Sequence, residues 1–302
     1  MKISAINTIK YLNFPNKMNV TQTFKQSCDT FVKEAKNEEI ELPKSIKRTR
    51  KFDIQQYNNL SSKEKEEIRE RIPEEIKKAA QETIFAGKYI KDTIDKTYGK
   101  DKYVFCCVGT SPSGIGRFME FSGVETKYFP ISRFGMNEYF ARSVLDVEKK
   151  GVTKYVSFLK KQGITQKDIN KSDKKYLFID YCVTGSSLKN FGIILSDKAK
   201  IYEPEKIKLL NINDLFKQAY RIYKPNEEDA DRIIEYIKEY IAKSNIADFA
   251  GVPHLNIIDI KNVNKTIKDY SPDEAKLFNF AIIDELNKQG KLKENPLNKK
   301  SI

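Results

Sequence analysis

The chain has 302 residues, 39% hydrophobic and 11% aromatic, which is enough apolar material to bury a core and excludes wholesale disorder. Lys and Arg outnumber Asp and Glu by 55 to 42, a formal charge of +13, but only nine of the 55 are Arg. Base-reading and bidentate phosphate sites favour clustered Arg, so lysines scattered along the whole chain leave nucleic acid a permitted partner and not the favoured one. No apolar stretch approaches the roughly 18 residues needed to cross a bilayer. Met1-Lys2-Ile3-Ser4 opens neither an apolar run nor a small-residue cleavage site, so no membrane partner and a cytoplasmic location are expected. The cysteines are Cys28, Cys106, Cys107 and Cys182; they form no C-x-x-C, and with His254 as the single histidine no zinc set can be assembled.

The first hundred residues read as charged helices. Residues 21–36 place Phe24, Cys28, Phe31 and Ala35 at helical spacing, and residues 38–51 read as a loop with a basic cluster. Ser61 and Glu64 form a capping box. Beyond Pro73, an apolar stripe from Ile76 through Ile84 and Ile90 to Ile94 predicts a long helix that stops near Gly99. The texture then changes. Residues 103–108, 127–131, 176–181 and 207–212 are short, mostly apolar runs, and helical patterns separate them, with one or two helices expected in 133–175. Such alternation predicts an α/β fold: a parallel β-sheet flanked by helices, with helical N- and C-terminal extensions. Toward the end, Ile233, Ile234, Ile237, Tyr240 and Ile241 suggest one helical stripe. Ser271-Pro272-Asp273-Glu274 starts a helix that stops at Gly290, and residues 291–302 read as a frayed tail. The expected divisions are a helical extension over 1–100, an α/β core over 101–215, and a helical region packing on it over 216–302.

Two loops share one grammar. Gly109-Thr110-Ser111-Pro112-Ser113-Gly114 and Thr184-Gly185-Ser186-Ser187 each follow an apolar strand, carry hydroxyls and glycine, and open a helix. Backbone N–H groups at a helix N-terminus, with glycine permitting close approach, suit an anion. Neither loop is a Walker A motif, since Gly-Lys-Ser/Thr is missing, and Gly114-x-Gly116 lacks the last glycine of a dinucleotide fingerprint. An ordinary strand-to-helix turn uses the same residues, so it is the pair of loops that points to a ligand.

The segment Phe178-Ile179-Asp180-Tyr181-Cys182-Val183-Thr184-Gly185-Ser186-Ser187-Leu188 resembles the phosphoribosyl-pyrophosphate (PRPP) loop of type I phosphoribosyltransferases. The resemblance covers residues 101–215. It implies that Thr184, Gly185, Ser186 and Ser187 cradle a ribose 5-phosphate. It also implies that Asp180 serves the ribose hydroxyls or Mg²⁺ as the catalytic and metal-binding carboxylate. Thr110, Ser111, Ser113 and Gly114 would form the pyrophosphate loop. The chain departs from the family pattern at Ile179, where a first acidic residue is expected, and at Val183, where many members carry an acid that polarises the base. A positioned acid or base is typically worth about 10²–10⁴-fold in rate, so purine salvage of the usual kind is not expected. Arg133, Tyr139 and Arg142 lie where the family places its flexible loop. Three readings follow: a transferase or hydrolase acting at the anomeric carbon of PRPP or a nucleotide; a non-catalytic PRPP or nucleotide sensor; and a polyanion-binding protein working through its charged flanks.

Overall fold

Four short runs of β-branched and aromatic residues, each too short for a helix of useful length, form the sheet. The strands are β1 (Tyr103–Val108), β2 (Thr126–Phe129), β3 (Lys175–Asp180) and β4 (Ile207–Asn211). All pairings are parallel, in the order β2-β1-β3-β4. The computed structural model describes residues 46, 52–131, 149–181, 186–242, 250–252, 270 and 272–293, all within the compact unit Leu42–Ile302. The expected helix over 21–36, nearly all of the loop over 38–51, Arg133, Tyr139, Arg142, Cys28, Cys182 and His254 lie outside the described residues.

Strand order dictates where the helices go. From β1 the chain steps to β2 through α4 (Ser113–Phe121), then returns across β1 to reach β3 through α5 (Lys149–Lys161) and α6 (Gln166–Lys171). It continues in the same direction to β4 through α7 (Ser186–Ile193) and a π-helical turn, Ile194–Lys198. Crossovers of one hand that run in opposite directions along a sheet must lie on opposite faces. One face therefore packs Val104, Cys106, Val108, Phe129, Tyr176 and Phe178 under α5 and α7, through Tyr155, Phe158, Leu159, Phe191 and Leu195. Phe129, Phe178 and Phe191 stack with ring centroids 5.2–6.1 Å apart.

The other face takes α4, and behind it stand helices from both ends of the described chain. These are α1 (Ile54–Asn59), α2 (Ser62–Arg71), α3 (Glu74–Tyr98), α8 (Ile212–Tyr223), α9 (Glu227–Tyr236) and α10 (Asp273–Lys288). Contacts join α3 to α4, α8 and α10. Gly87 of α3 is pressed against Phe118, where an added Cβ would come within 2.4 Å of the ring. Asp284 on α10 collects the Tyr57 hydroxyl at 2.8 Å, both Nε and Nη2 of Arg69 at 2.9 and 2.6 Å, and Lys288 at 2.8 Å.

The Ser61–Glu64 capping box is present, with both reciprocal bonds. Three details differ from expectation. The last helix has Pro272 itself at its cap and no side-chain cap, so it begins at Asp273. The stripe around residue 233 is broken: Ile233, Tyr236 and Ile241 are buried while Ile234 is 47% exposed, and the helix passes into a π-helical turn at Ile237–Ala242. The extra residue per turn in a π-helix shifts the register that a 3.6-residue period assumes. Lys293, placed in the expected frayed tail, donates its amide to Phe121 O at 2.9 Å.

Candidate functional site

The reversal of direction at β1 makes the junction of β1 and β3 a topological switch point. β1 and β3 are neighbours, yet the helices that follow them lie on opposite faces, α4 on one and α7 on the other. Ligands of open parallel sheets bind at this topological switch point, beyond the carboxyl ends of the strands. The two hydroxyl-rich loops singled out from the sequence follow these two strands.

Gly109 ends β1 at φ +74, a left-handed conformation in which a side chain is strained. Its amide donates to Phe129 O at 3.0 Å, keeping it in line with β2. A Cβ at this position would sit 3.2 Å from Ile131 O and 3.5 Å from Asp180 Oδ1. The ends of three strands therefore converge on one glycine. Thr110 and Ser113 are buried, Ser111 is half-buried, and Gly114 is buried in the first turn of α4. The Ser113 amide and hydroxyl both donate to Thr110 O, so this hydroxyl is spent inside the turn. No side chain caps α4. Two residues on, Gly116 permits the helix to touch the sheet, since a Cβ there would lie 2.4 Å from Cys107 Sγ.

Asp180 closes β3 and is 7% exposed. Its Oδ1 accepts from the Tyr181 amide at 2.8 Å and its Oδ2 from the Ser187 hydroxyl at 2.7 Å. Burial pushes its carboxyl up to about 6, against the pull of the Ser187 hydroxyl and the Tyr181 amide. No cation pairs with it among the described residues. Ile179 faces the other side of the sheet, by the two-residue period of a strand, and is wholly buried. The position where the family pattern has its first acid is thus part of the core here.

Of the sequence-predicted residues, the structure brings Asp180 and Ser187 into contact and sets Asp180 beside Gly109, which leads into the loop of Thr110, Ser111, Ser113 and Gly114. Thr184, Gly185 and Val183 lie outside the described residues, and Ser186 is described only as the first backbone position of α7. The sequence reading opened the loop motif with Gly109 but left it out of the expected pyrophosphate-loop residues. Its signal was present: a glycine immediately after a wholly buried run.

Behind the first loop, Arg117 and Glu120 of α4 form a buried ion pair at 2.8 Å. Arg117 Nε also donates to Ala250 O at 2.9 Å, Tyr128 OH donates to Glu120 Oε2 at 3.0 Å, and the guanidinium lies 4.5 Å from the Tyr128 ring centroid. Burial works against the Arg117 charge, and Tyr128 and Glu120 outweigh it. Burial also pushes the Cys106 and Cys107 thiols up, so both behave as inert core residues.

Among the described residues no helix is long and apolar enough to cross a membrane. Compared with models of known families, with curated proteins and with solved structures, the chain matches none.

Proposed function

We propose that the switch point between β1 and β3 binds a phosphorylated ribose, either PRPP or a nucleotide, in the manner of a type I phosphoribosyltransferase. The observation that carries this reading is Asp180, a buried carboxylate with no cation partner among the described residues, at the switch point between the strands that precede the two hydroxyl-rich loops. Buried charges are ordinarily paired, and one left unpaired at the mouth of a sheet is expected where a ligand completes it.

In this reading the α7 loop takes the 5-phosphate and the α4 loop the pyrophosphate, while Asp180 accepts hydrogen bonds from the ribose hydroxyls. Magnesium fits only with the ligand's help. Among the described residues no three His, Cys, Asp or Glu side chains come together, so Asp180 would share the ion with phosphate oxygens and water. Bound there, it would offset the charge of the pyrophosphate. Turnover would break the bond from the anomeric carbon to the pyrophosphate oxygen, the electron pair leaving with pyrophosphate. The acceptor's lone pair would form the new bond and its proton would pass to solvent; water as acceptor makes the reaction a hydrolysis.

The second reading, a sensor that binds without turnover, is favoured by Ile179, whose burial in the core leaves Asp180 as the one acid of its pair. A titration with PRPP, ribose 5-phosphate and a nucleoside monophosphate, with and without Mg²⁺, tests the site. Thr184→Ala with Ser187→Ala should weaken binding by about 1–3 kcal/mol, the scale of hydrogen bonds to charged groups. Unchanged affinity would reduce the loop to a turn. Pyrophosphate release from PRPP then separates enzyme from sensor.

A further inference from the structure

The +13 charge, which looks evenly spread in sequence, is sorted by the fold. The layer formed by α5, α7 and the π-helical turn through Lys200 contains eight Lys and a single acid, Asp197. On the opposite side of the sheet, α9 and α10 together carry nine acids against three bases. Both α5 and α7 bury their apolar stripes against the same sheet face, through Val152, Tyr155, Phe158 and Leu159 on one and Phe191 on the other. Their remaining faces therefore form one continuous outer surface. On it Lys154, Lys160, Lys161, Lys189 and Lys200 are exposed. Lys154 and Lys161 stand two helical turns apart, roughly 10 Å along the axis of α5.

We infer that this α5–α7 face is a docking surface for double-helical nucleic acid, held through phosphates and indifferent to base sequence. Charge complementarity makes the partner a polyanion, and the residue types narrow it further. Lysine ammonium groups are point charges that neutralise phosphate without the planar fork that reads guanine. Among the described residues no exposed large hydrophobic residue lies on α5 or α7; Tyr202, beyond Lys200, and Leu209, against Gly192 of α7, stand at the edge of this face. The described outer faces of α5 and α7 thus carry neither the row of aromatics that single strands stack on nor the apolar stripe that a surface helix inserts into lipid. Thr153 and Ser157 complete its exposed rim on α5. This surface is separate from the switch point, and the inference does not depend on what the switch point binds.

The test is fluorescence anisotropy of a labelled 20-base-pair duplex with the full chain, using one AT-rich and one GC-rich sequence. If four phosphates are neutralised, log affinity should fall against log salt with a slope of about −3.6, which is roughly 150-fold between 50 and 200 mM NaCl. The two sequences should bind within about threefold of each other. The variant Lys160→Glu, Lys161→Glu, Lys200→Glu should lose at least tenfold. A control of equal charge change away from this face, Lys63→Glu, Lys78→Glu, Lys238→Glu, should lose less than threefold; unchanged circular dichroism of both establishes that they fold. Equal losses in the two variants, no binding at 50 mM salt, or binding to phosphatidylserine vesicles without binding to the duplex would each overturn the proposal.

Discussion

Asp180→Asn should stabilise the protein at neutral pH, contrary to the usual result of altering a buried, hydrogen-bonded residue. Moving a carboxyl from its ordinary 3.8 to about 6 is a displacement of roughly 2 units, and at about 1.36 kcal/mol per unit it costs the fold about 3 kcal/mol above pH 6. The sign follows from proton counting. Between about pH 4 and 6 the folded chain keeps the Asp180 proton and the unfolded chain has lost it. Stability from this group is therefore complete below the unfolded value and disappears as pH rises through the folded one. The amide removes the charge but cannot accept from both the Tyr181 amide and the Ser187 hydroxyl. Losing one hydrogen bond returns about 1 kcal/mol. The net gain at pH 7.5 is then about 1–2 kcal/mol, or about 2–8 °C in Tm for a chain of this size. At pH 4 the gain should vanish. Thermal melts of both proteins at the two pH values decide it. A variant destabilised at pH 7.5, or a difference that does not change with pH, would make the carboxylate a turn cap and remove the main support for the ligand site.

Gly109→Ala should lower stability by about 1–2 kcal/mol, because φ is +74 and the new methyl would meet Ile131 O at 3.2 Å; calorimetry measures this, and the switch-point ligand should bind more weakly in the same variant. Arg117→Met should cost about 3–5 kcal/mol by leaving Glu120 charged and buried. Adding Glu120→Leu should recover more than half of that in a urea denaturation series, and no recovery would refute the pairing as the cause. Burial alone would raise the Asp284 carboxyl, but bonds from Arg69, Lys288 and Tyr57 hold it at about 2. Its contribution is present above about pH 4 and is lost as pH falls through 2, so Asp284→Asn should cost about 2–3 kcal/mol at pH 7 and progressively less in acid.

The strands were legible because a fully buried parallel strand is a short apolar run, and Tyr103–Val108 is buried at every position. Their ends were less so: Lys175 joins β3 through backbone pairing that its side chain does not advertise, and Ile212, which the apolar pattern placed in the strand, opens α8 with Asn211 as its cap. The order β2-β1-β3-β4 was not legible at all, since strand order depends on the direction of each crossover and no local pattern records it. Asp180 could be placed at a strand end from its neighbours. That Ser113 spends its hydroxyl on Thr110 O is a feature of the folded turn that no sequence pattern records. The Asp284 cluster joins residues more than 200 positions apart, and in sequence Tyr57, Arg69 and Asp284 are three unremarkable polar residues.

The return of the chain across β1 also sets an order of assembly. Phe105 pairs with Thr126, 126 − 105 = 21 residues away, whereas Tyr103 pairs with Lys175, 175 − 103 = 72 residues away. Closing the longer loop costs about 1 kcal/mol more in chain entropy. The β1–α4–β2 unit should therefore form ahead of the β1–β3 junction, with β4 added on β3. The junction that closes later is the one that brings Asp180 beside Gly109, so a partly folded chain would present the α4 loop without that carboxylate. A molecule that requires both loops would report the completed native state, and by binding it would slow the opening of that last-formed seam.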